Sequence, residues 1–587
     1  MRRMAGRGTE LMSSRVTTKV WAPAIRRVWQ RRSVRGAPAV LALALAMNGV
    51  GATVGGAQSR PSRTGGSRPG IDVQHYDFRV DFSARGFEDS VRVASTVTVY
   101  RFGRSDTLRL DLGRGMRVEG AQVNDRSVTF RRDSTSLRIP LPQGSLDTLR
   151  ISVRVIGRPA DGLIIRRDSS GTWTAFADHF PDRAREWLPT VDHPSDKATV
   201  DWTVRSPATH RVVANGELLE ETPEPAAGGR PAMLVTRWRS LRPLYTAVMV
   251  IGVAPFADYE LGRTACGLGE LPGCVPQSVW ISPDVRSSMP GPFARAGDIV
   301  ALFARQVGPF PYEKLSHVQS STRYGGMENA SVIFYADNIY RSRSMSEGLI
   351  AHETAHQWFG DAVTTKEWPH VWLSEGFATY FAALWTEHAH GDSAFLGDLR
   401  RMRQSVLDDS LATQKPVVDE SLSDLRYVLN GLVYQKAGFV LHMLRREVGD
   451  SAFFRGIRAY YARYRHANAL TDDFAREMEL ASGTKLGWFF DQWMRRPGWA
   501  DLTVGWRWDA TQKRLLVTAS QGGTAAPYRL NLSMDLTDVR GKVHRLRVTI
   551  PAARVATIPI ALPVEGAPRA VTFDPDVSLL GRLKTSP

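Results

Sequence analysis

The chain has 587 residues, a length that predicts roughly three to four domains rather than one hydrophobic core. Hydrophobic residues make up 43% and charged residues 23% of the sequence, which is typical of globular proteins and excludes a fibrous chain. The formal charge is +17, but residues 1–57 hold ten basic and one acidic side chain, so the remainder carries 17 − 9 = +8. Because no nucleic-acid-binding motif accompanies this charge, we expect a solvated basic surface and no nucleic-acid partner.

The first 57 residues have the pattern of an export signal. A basic segment ending at Arg35 precedes a short apolar stretch, residues 37–47, and small residues end at Ala57. This order predicts a signal peptide cleaved near Ala57, since the apolar stretch is shorter than the ~20 residues that span a bilayer. We therefore expect a periplasmic or secreted protein without a stable membrane span, and a disordered linker over residues 58–70. A buried core helix is the alternative, and both Sec and twin-arginine export stay open.

Alternating hydrophobic and polar residues predict an all-β domain over residues 71–254. Its clearest strands are 76–82, 91–100 and 149–157, which are rich in β-branched residues and bounded by turn residues. A second β-rich region, residues 499–587, has about the length of a small β-sandwich.

Helical spacing dominates between these two regions, from residue 255 to residue 498. A helix over 345–359 is expected to begin with the capping-box pair Ser344 and Glu347 and to end at Gly360. Further helices are predicted near 374–390, 425–448, 451–465 and 471–495.

Cys266 and Cys274 are the two cysteines of the chain, and they flank a segment rich in glycine and proline. In an oxidising compartment they would close a small loop as a disulfide, and two free thiols are the alternative. The spacing does not match a zinc knuckle, and no pair of histidines lies nearby.

The segment His352-Glu353-Thr354-Ala355-His356 matches the H-E-x-x-H pattern and falls within a predicted helix. Residues four apart lie on one helix face, so both imidazoles can reach one ion. Zinc suits two imidazoles and one carboxylate, with a fourth position open for water. Glu375, after 18 intervening residues, opens the next predicted helix and can supply that carboxylate. The alternative is a chance match on an exposed helix.

These residues resemble the aminopeptidase N family of zinc exopeptidases, the gluzincin aminopeptidases that are related to leukotriene hydrolases. The resemblance extends to the family's G-x-M-E-N motif, matched by Gly325, Gly326, Met327, Glu328 and Asn329. The segment 434–438 (YQKAG) is similar to the family's Y-x-K-G motif, with Ala437 in place of glycine. Segments 185–194 and 488–493 resemble two further family patterns, and the likeness spans roughly residues 71–505.

The resemblance implies a multidomain α+β fold. Its parts would be an N-terminal all-β saddle-like domain (71–254), a thermolysin-like, mostly helical zinc catalytic domain (255–498) and a small C-terminal β-sandwich (499–587). The long helical domain that closes the cleft in many relatives is not expected, which would leave the cleft more open. One Zn²⁺ per chain is implied, held by His352, His356 and Glu375.

The resemblance also implies a hydrolase that removes the first residue of peptides with a free N-terminus. Glu353 would act as the general base and Tyr434 would donate a hydrogen bond to the oxyanion. Glu328 would bind the substrate α-ammonium, and the backbone of Gly325 and Gly326 would pair with an extended substrate. The alternatives are that Tyr434 is a core tyrosine and that Glu328 is a solvated side chain after a turn.

Three further residues differ from the family pattern or add to the predicted site. Gly326 stands where alanine is common, which is expected to loosen the subsite beside the first side chain. Asp178 lies near the place of a glutamine that helps bind the amine in many relatives. Asp361 would either orient an imidazole or lie on the surface at the helix end.

Two other functions remain as alternatives. The first is an endopeptidase or epoxide hydrolase with the same zinc chemistry, against which the presence of Glu328 argues. The second is an inactive binding scaffold, against which the complete set of ligands, base and tyrosine argues. The sequence leaves the side-chain preference, the physiological substrate and the oligomeric state undetermined.

Overall fold

The structure is a computed structural model that describes residues 68, 70–82, 90–144, 147–167, 172–267, 274–288, 291–561 and 566–586. The predicted signal peptide and most of the predicted linker lie outside these residues. At the end of the linker, Arg68 forms an ion pair with Asp111 at 2.7 Å. Among the helices that are described, none is both long and apolar enough to cross a membrane.

Strands fill the described part of residues 71–254, as the alternating pattern predicts. They form an eight-stranded sheet in the order β13-β14-β11-β1-β2-β8-β4-β5, a four-stranded sheet β12-β15-β10-β9 and a three-stranded sheet β3-β7-β6. The strands are β1 (Ile71–Asp81), β2 (Val91–Arg101), β3 (Thr107–Asp111), β4 (Met116–Val123), β5 (Arg126–Ser127), β6 (Arg131–Arg132), β7 (Ser136–Pro140), β8 (Asp147–Gly157), β9 (Leu163–Arg167), β10 (Trp173–Ala177), β11 (Ala198–Pro207), β12 (Arg211–Ala214), β13 (Glu217–Glu224), β14 (Met233–Leu244) and β15 (Ile251–Ala254).

The hydrophobic alternation of these strands builds the core of the large sheet. In β2 the valines at positions 91, 93, 97 and 99 and Ser95 are buried, while the residues that alternate with them are more exposed. Side chains alternate between the two faces of a strand, so one face of the sheet packs inward and the other contacts solvent. β1 pairs with β2 in antiparallel and with β11 in parallel orientation.

A five-stranded sheet precedes the metal-binding helices, where the sequence predicts mostly helix. Its strands are β16 (Ala257–Thr264), β17 (Val275–Ile281), β18 (Leu315–Ser320), β19 (Gly326–Met327) and β20 (Val332–Ala336), in the order β16-β17-β18-β20-β19. The sequence pattern does not predict these strands, because every residue of β18 and β20 is buried. Strands buried on both faces lack the alternation that identifies a strand in the sequence.

The helices follow or interleave with this sheet. They are α1 (Ala296–Gln306), α2 (Asp337–Arg341), α3 (Glu347–His356), α4 (Trp372–His390), α5 (Asp392–Asp408), α6 (Ala437–Val448), α7 (Asp450–Tyr464), α8 (Thr471–Ser482) and α9 (Gly487–Trp493). A π-helical segment, Leu432–Lys436, leads into α6. Two short strands, β21 (Val363–Thr365) and β22 (Ala467–Ala469), pair in parallel beside the helices.

Three predicted helices have different bounds in the structure. α3 begins at Glu347, and Ser346 rather than Ser344 caps it, accepting a hydrogen bond from the backbone N–H of Leu349 at 3.2 Å. The predicted helix over 471–495 is two helices, because Gly483 adopts a left-handed conformation with φ +69° and ends α8. The predicted helix over 425–448 is interrupted before the π-helical segment.

The last described part of the chain consists of two sheets in the orders β27-β24-β23-β29 and β26-β25-β28. The strands are β23 (Ala500–Asp509), β24 (Arg514–Gln521), β25 (Leu530–Thr537), β26 (Val543–Ile550), β27 (Val555–Ala561), β28 (Ala570–Phe573) and β29 (Gly581–Thr585). Two sheets are what the predicted β-sandwich requires, and the lack of a further helical domain stays a prediction.

The two cysteines are joined in the structure. Cys266 and Cys274 form a disulfide across eight positions of the chain, with their Cα atoms 5.6 Å apart. This agrees with the disulfide that the sequence favours over two free thiols.

Candidate metal centre

Two consecutive helices bring three predicted metal ligands together. His352 and His356 lie one turn apart on α3, and their Nε2 atoms are 3.1 Å from each other. Glu375 lies in the first turn of α4, and its Oε2 is 3.5 Å from Nε2 of His352 and 3.4 Å from Nε2 of His356. Four-coordinate zinc, with bonds of about 2.0–2.1 Å, needs neighbouring ligand atoms roughly 3.3 Å apart. The three side chains therefore fit one zinc ion.

The same site contains buried polar atoms without partners. Glu375 is 3% exposed and His352 is 5% exposed. No described residue forms a hydrogen bond with Glu375 Oε2, the oxygen that faces the two imidazoles, or with Nδ1 of His352. A buried carboxylate oxygen without a hydrogen bond is costly, and coordination to a cation would satisfy it.

The orientation of His356 also favours a metal at Nε2. Its Nδ1 lies 3.1 Å from the backbone carbonyl of Phe359 and 2.9 Å from Oγ of Ser374. The carbonyl can only accept, so Nδ1 carries the proton and Nε2 presents its lone pair to the ion. Gly360, with φ +117°, leaves the space for Ser374, since a Cβ there would overlap Oγ of Ser374 and lie 3.2 Å from its Cβ.

Three carboxyl groups, those of Glu328, Glu353 and Glu375, surround the histidines and shift the pKa values within the site. Glu328, Glu353 and His356 also place ligand-type atoms within 4.8 Å of one another. Burial raises the pKa of Glu353 well above its usual range and raises the pKa of Glu328 to about 7. Burial lowers the pKa of His356, but the carboxylates of Glu328 and Glu375 outweigh it and raise that pKa to about 10. These shifts mean that the metal-free site retains protons, and a divalent cation bound there would take their place.

Tyr434 lies in the π-helical segment before α6. Its ring stacks beside the imidazole of His352, with centroids 6.0 Å apart. Burial, together with the nearby carboxylates, raises the pKa of Tyr434 well above 10, so the phenol keeps its proton and acts as a hydrogen-bond donor. π-helical turns occur often at functional sites, but no pattern in the local sequence predicts this one.

The predicted amine-binding motif forms the edge strand β19 and the turn after it. Gly326 and Met327 pair with Tyr335 and Phe334 of β20, and Glu328 follows at the strand end with 5% exposure. Asn329 is fully buried, and its Nδ2 lies 3.5 Å from the backbone carbonyl of Met327, which supports the turn.

Gly326 faces Glu353: a Cβ at position 326 would overlap the carboxylate and lie 2.6 Å from Cγ of Glu353. The glycine therefore provides room for the predicted general base. The expected effect of Gly326 on the subsite for the first substrate side chain stays a prediction.

Two cavities meet at this site. The smaller one contains Glu328 and Glu353, and its apolar wall consists of Phe180, Tyr324, Met327 and Leu429. The larger one has a volume of about 1,070 Å³, contains His352 and Tyr434, and is bounded by α5 and by residues 408–435. Tyr324 directly precedes the motif at 325–329, and Phe180 lies five residues before the segment 185–194, but no pattern in the sequence marks either as a wall residue.

Asp178 and Asp361 do not contact the centre in the way that the sequence suggests. Asp178 is buried in ion pairs with Arg183 at 3.1 Å and Arg323 at 3.6 Å, and it is absent from the described residues that line the smaller cavity. Asp361 is fully buried, so the surface alternative is wrong. Among the described residues it forms no hydrogen bond with an imidazole and instead accepts one from Nε2 of Gln357 at 3.0 Å.

Comparison with known proteins finds one family. The Peptidase M1 N-terminal domain matches residues 118–230, and the Peptidase family M1 domain matches residues 300–493. The glutamyl aminopeptidase of Mus musculus is 26% identical over 390 residues, which are 62% of this chain and 38% of that protein. The leucyl aminopeptidase of Saccharolobus solfataricus is 23% identical over 505 residues, 81% of this chain and 59% of that protein. The matched region thus spans less than two thirds of either relative.

Solved structures show the same similarity. A crystal structure of a mutant M1 zinc metallopeptidase from Deinococcus radiodurans has a TM-score of 0.62 and 25% identity, covering 73% of this chain and 94% of that chain. The same mutant has also been crystallised with a Tyr-Ser-Ala substrate. Aminopeptidase A of Legionella pneumophila has a TM-score of 0.75 at 18% identity, covering 90% of this chain and 61% of that chain, and it supports the fold alone.

Proposed function

Since the chain belongs to peptidase family M1, we propose that it is a zinc-dependent aminopeptidase that hydrolyses the N-terminal peptide bond of peptides. The observation that carries this proposal is the position of Glu328. This buried carboxylate has an oxygen within 4.8 Å of ligand-type atoms of Glu353 and of the metal ligand His356. A carboxylate at that place can bind a free α-ammonium while the adjacent peptide bond reaches the metal.

One zinc ion would be held by His352, His356 and Glu375. When bound, zinc polarises a carbonyl group and lowers the pKa of water to near neutrality. Glu353, on the same helix as the two histidines, accepts a proton from the attacking water and passes it to the leaving amine. Gly326 leaves space for this carboxylate beside the substrate.

Tyr434 stabilises the charge that develops on the substrate. Its phenol is protonated because burial and nearby carboxylates raise its pKa well above 10. The O–H can donate a hydrogen bond to the oxygen of the attacked carbonyl as that oxygen becomes negative. The donor is already in place beside His352, so little reorganisation accompanies the reaction.

The two cavities would bind the parts of the substrate that lie on either side of the bond that is cut. The first side chain would lie against Phe180, Tyr324, Met327 and Leu429, whose apolar surfaces favour an apolar residue. Because the cavity there has a volume of only about 20 Å³, these wall residues would have to move to admit it. The rest of the peptide would extend past Tyr434 into the cavity of about 1,070 Å³, which is large enough for several residues.

Export is part of the proposal. The disulfide between Cys266 and Cys274 is typical of proteins that fold outside the reducing cytoplasm. N-terminal sequencing of the protein from its native cells should find a mature chain that starts near Gln58. A chain that retains the basic segment before residue 37 would contradict export with cleavage.

The proposed activity can be tested with a panel of aminoacyl-anilides and their N-acetylated forms. Free-amine anilides of apolar residues should be cleaved and the acetylated forms should not. Glu353→Gln should lose turnover while it retains zinc. Equal cleavage of both substrate forms would show that Glu328 does not bind the amine. If the zinc-loaded protein cleaved no anilide and no peptide, the proposed peptidase activity would be refuted.

A further inference from the structure

Gln357 directly follows His356 at the end of the metal helix, and its side chain is fully buried. Its Oε1 accepts a hydrogen bond from the backbone N–H of Ser331 at 2.7 Å. Its Nε2 donates to the backbone carbonyl of Glu328 at 2.9 Å and to Oδ2 of Asp361 at 3.0 Å. Because the Ser331 N–H can only donate and the Glu328 carbonyl can only accept, these partners fix which way the amide points.

These bonds join two parts of the site that are distant in sequence. Glu328 and Ser331 bracket the turn after β19, and Gln357 extends from α3, which carries two metal ligands. Ser331 has φ +64°, a conformation that residues other than glycine adopt only when the surroundings hold them. Its Oγ also accepts a hydrogen bond from the N–H of Gly216 at 2.9 Å, so the turn is held from both sides.

We propose that Gln357 is a positioning residue that fixes the distance between Glu328 and the metal centre and thereby directs cleavage to the first peptide bond. The inference rests on the proposed function, in which Glu328 binds the α-ammonium. In an α-amino acid, two bonds separate the amine from the carbonyl carbon, so the binding groups for amine and metal tolerate little displacement. A misplacement of about 1 Å can reduce rates on the order of a hundredfold.

The chemistry of the side chain distinguishes this role from simple packing. An apolar residue of similar size could fill the space but would leave the Glu328 carbonyl and the Ser331 N–H unpaired. A glutamate could still accept from Ser331, but it would turn an oxygen toward the Glu328 carbonyl and the Asp361 carboxylate. Both changes should move Glu328 relative to α3 without removing a metal ligand.

The test compares binding of two hydroxamates to the zinc-loaded protein by calorimetry. Leucine hydroxamate carries both a metal-binding group and an α-amine, whereas acetohydroxamate carries the metal-binding group alone. Gln357→Glu and Gln357→Met should bind leucine hydroxamate about tenfold more weakly or worse, and acetohydroxamate within about twofold of the unmodified protein. Their zinc content should be unchanged. Gln414→Glu, on an exposed glutamine that bonds only locally to the Ser410 carbonyl, is the matched control.

The outcomes separate this inference from the proposed function. If leucine hydroxamate binds either folded variant normally, or if both ligands weaken equally, Gln357 does not set the distance. Should Gln357→Met fail to fold, Gln357→Glu decides the result. Glu328→Ala tests the underlying assignment. If this variant binds leucine hydroxamate normally, Glu328 does not bind the α-amine. A loss in Glu328→Ala together with normal binding in the Gln357 variants would overturn only the positioning role.

Discussion

Gly376 on α4 lies directly against Ala437 at the start of α6, and a Cβ placed on Gly376 would be 2.6 Å from the Cβ of Ala437. Gly376 follows the metal ligand Glu375, and Ala437 lies three residues after Tyr434. The contact therefore sets the spacing between a metal ligand and the phenol. Ala437, which replaces the glycine of the family motif, is accommodated because position 376 has no side chain.

Gly376→Ala should push α6 away from α4. Overpacking of this kind costs about 1–3 kcal/mol in the free energy of unfolding. Because Tyr434 moves with the start of α6, kcat should fall as well. Urea unfolding and anilide kinetics measure the two effects. The double variant Gly376→Ala, Ala437→Gly relieves the overlap and should recover part of both losses. A single variant as stable and active as the unmodified protein would show that the contact does not set the spacing.

Ser374→Ala should weaken zinc binding. Ser374 Oγ lies 2.9 Å from Nδ1 of His356, and partners of this kind fix the ring orientation of a metal-binding histidine. We expect roughly a tenfold loss in zinc affinity, measured by competition with a chelator. At saturating zinc, kcat should stay close to that of the unmodified protein. An unchanged zinc affinity would show that the Phe359 carbonyl alone orients the ring.

Tyr434→Phe should reduce kcat about 10²- to 10³-fold, as removal of one oxyanion donor does in other hydrolases. Zinc content and KM should change little, because the ring itself remains beside His352. The phenol keeps its proton at all working pH values, since burial and the surrounding carboxylates raise the pKa of Tyr434 well above 10. The loss should therefore be constant between about pH 6 and 9. A variant that retains most of kcat would contradict the donor role.

Asp196 should make stability depend on pH. Burial, together with the nearby Asp72 carboxylate, raises the pKa of Asp196 to about 8. In the unfolded chain an aspartate titrates near pH ~4. Between these values the folded state binds the extra proton, so its stabilising contribution is complete below about pH 4 and is lost as pH rises toward 8.

Asp196→Asn removes this titration and serves as the comparison. Unfolding free energies of both proteins at pH 5 and pH 8 give the result. The asparagine variant should gain stability relative to the unmodified protein as pH rises. Parallel pH dependence in the two proteins would mean that Asp196 titrates normally.

The metal ligands can be predicted from the sequence because a metal-binding pattern depends on the spacing of residues along the chain. His352 and His356 must share a face once they lie on one helix, and Glu375 opens the next helix. The strands of the N-terminal domain can be predicted equally well, because hydrophobic and polar residues alternate along each strand. The sequence favours the disulfide because two cysteines lie close together behind a predicted export signal, but it leaves two free thiols as the alternative.

The rest of the site depends on contacts between distant segments. Ser374 and Gln357 act through atoms on other elements, and neither has a motif of its own. The π-helical turn that contains Tyr434 packs against α4, and no local sequence pattern predicts it. Gly326 shows the same limit, since its role becomes visible only when β19 lies against Glu353.

The central claim is that His352, His356 and Glu375 hold one catalytic zinc ion. Titration of the metal-free protein with zinc, followed by cleavage of a free-amine anilide, tests it most directly. Activity should rise linearly and reach its plateau at one zinc per chain, and Glu375→Ala should show no such rise at the same concentrations. Full activity in the metal-free protein, or an unchanged titration in Glu375→Ala, would contradict the account.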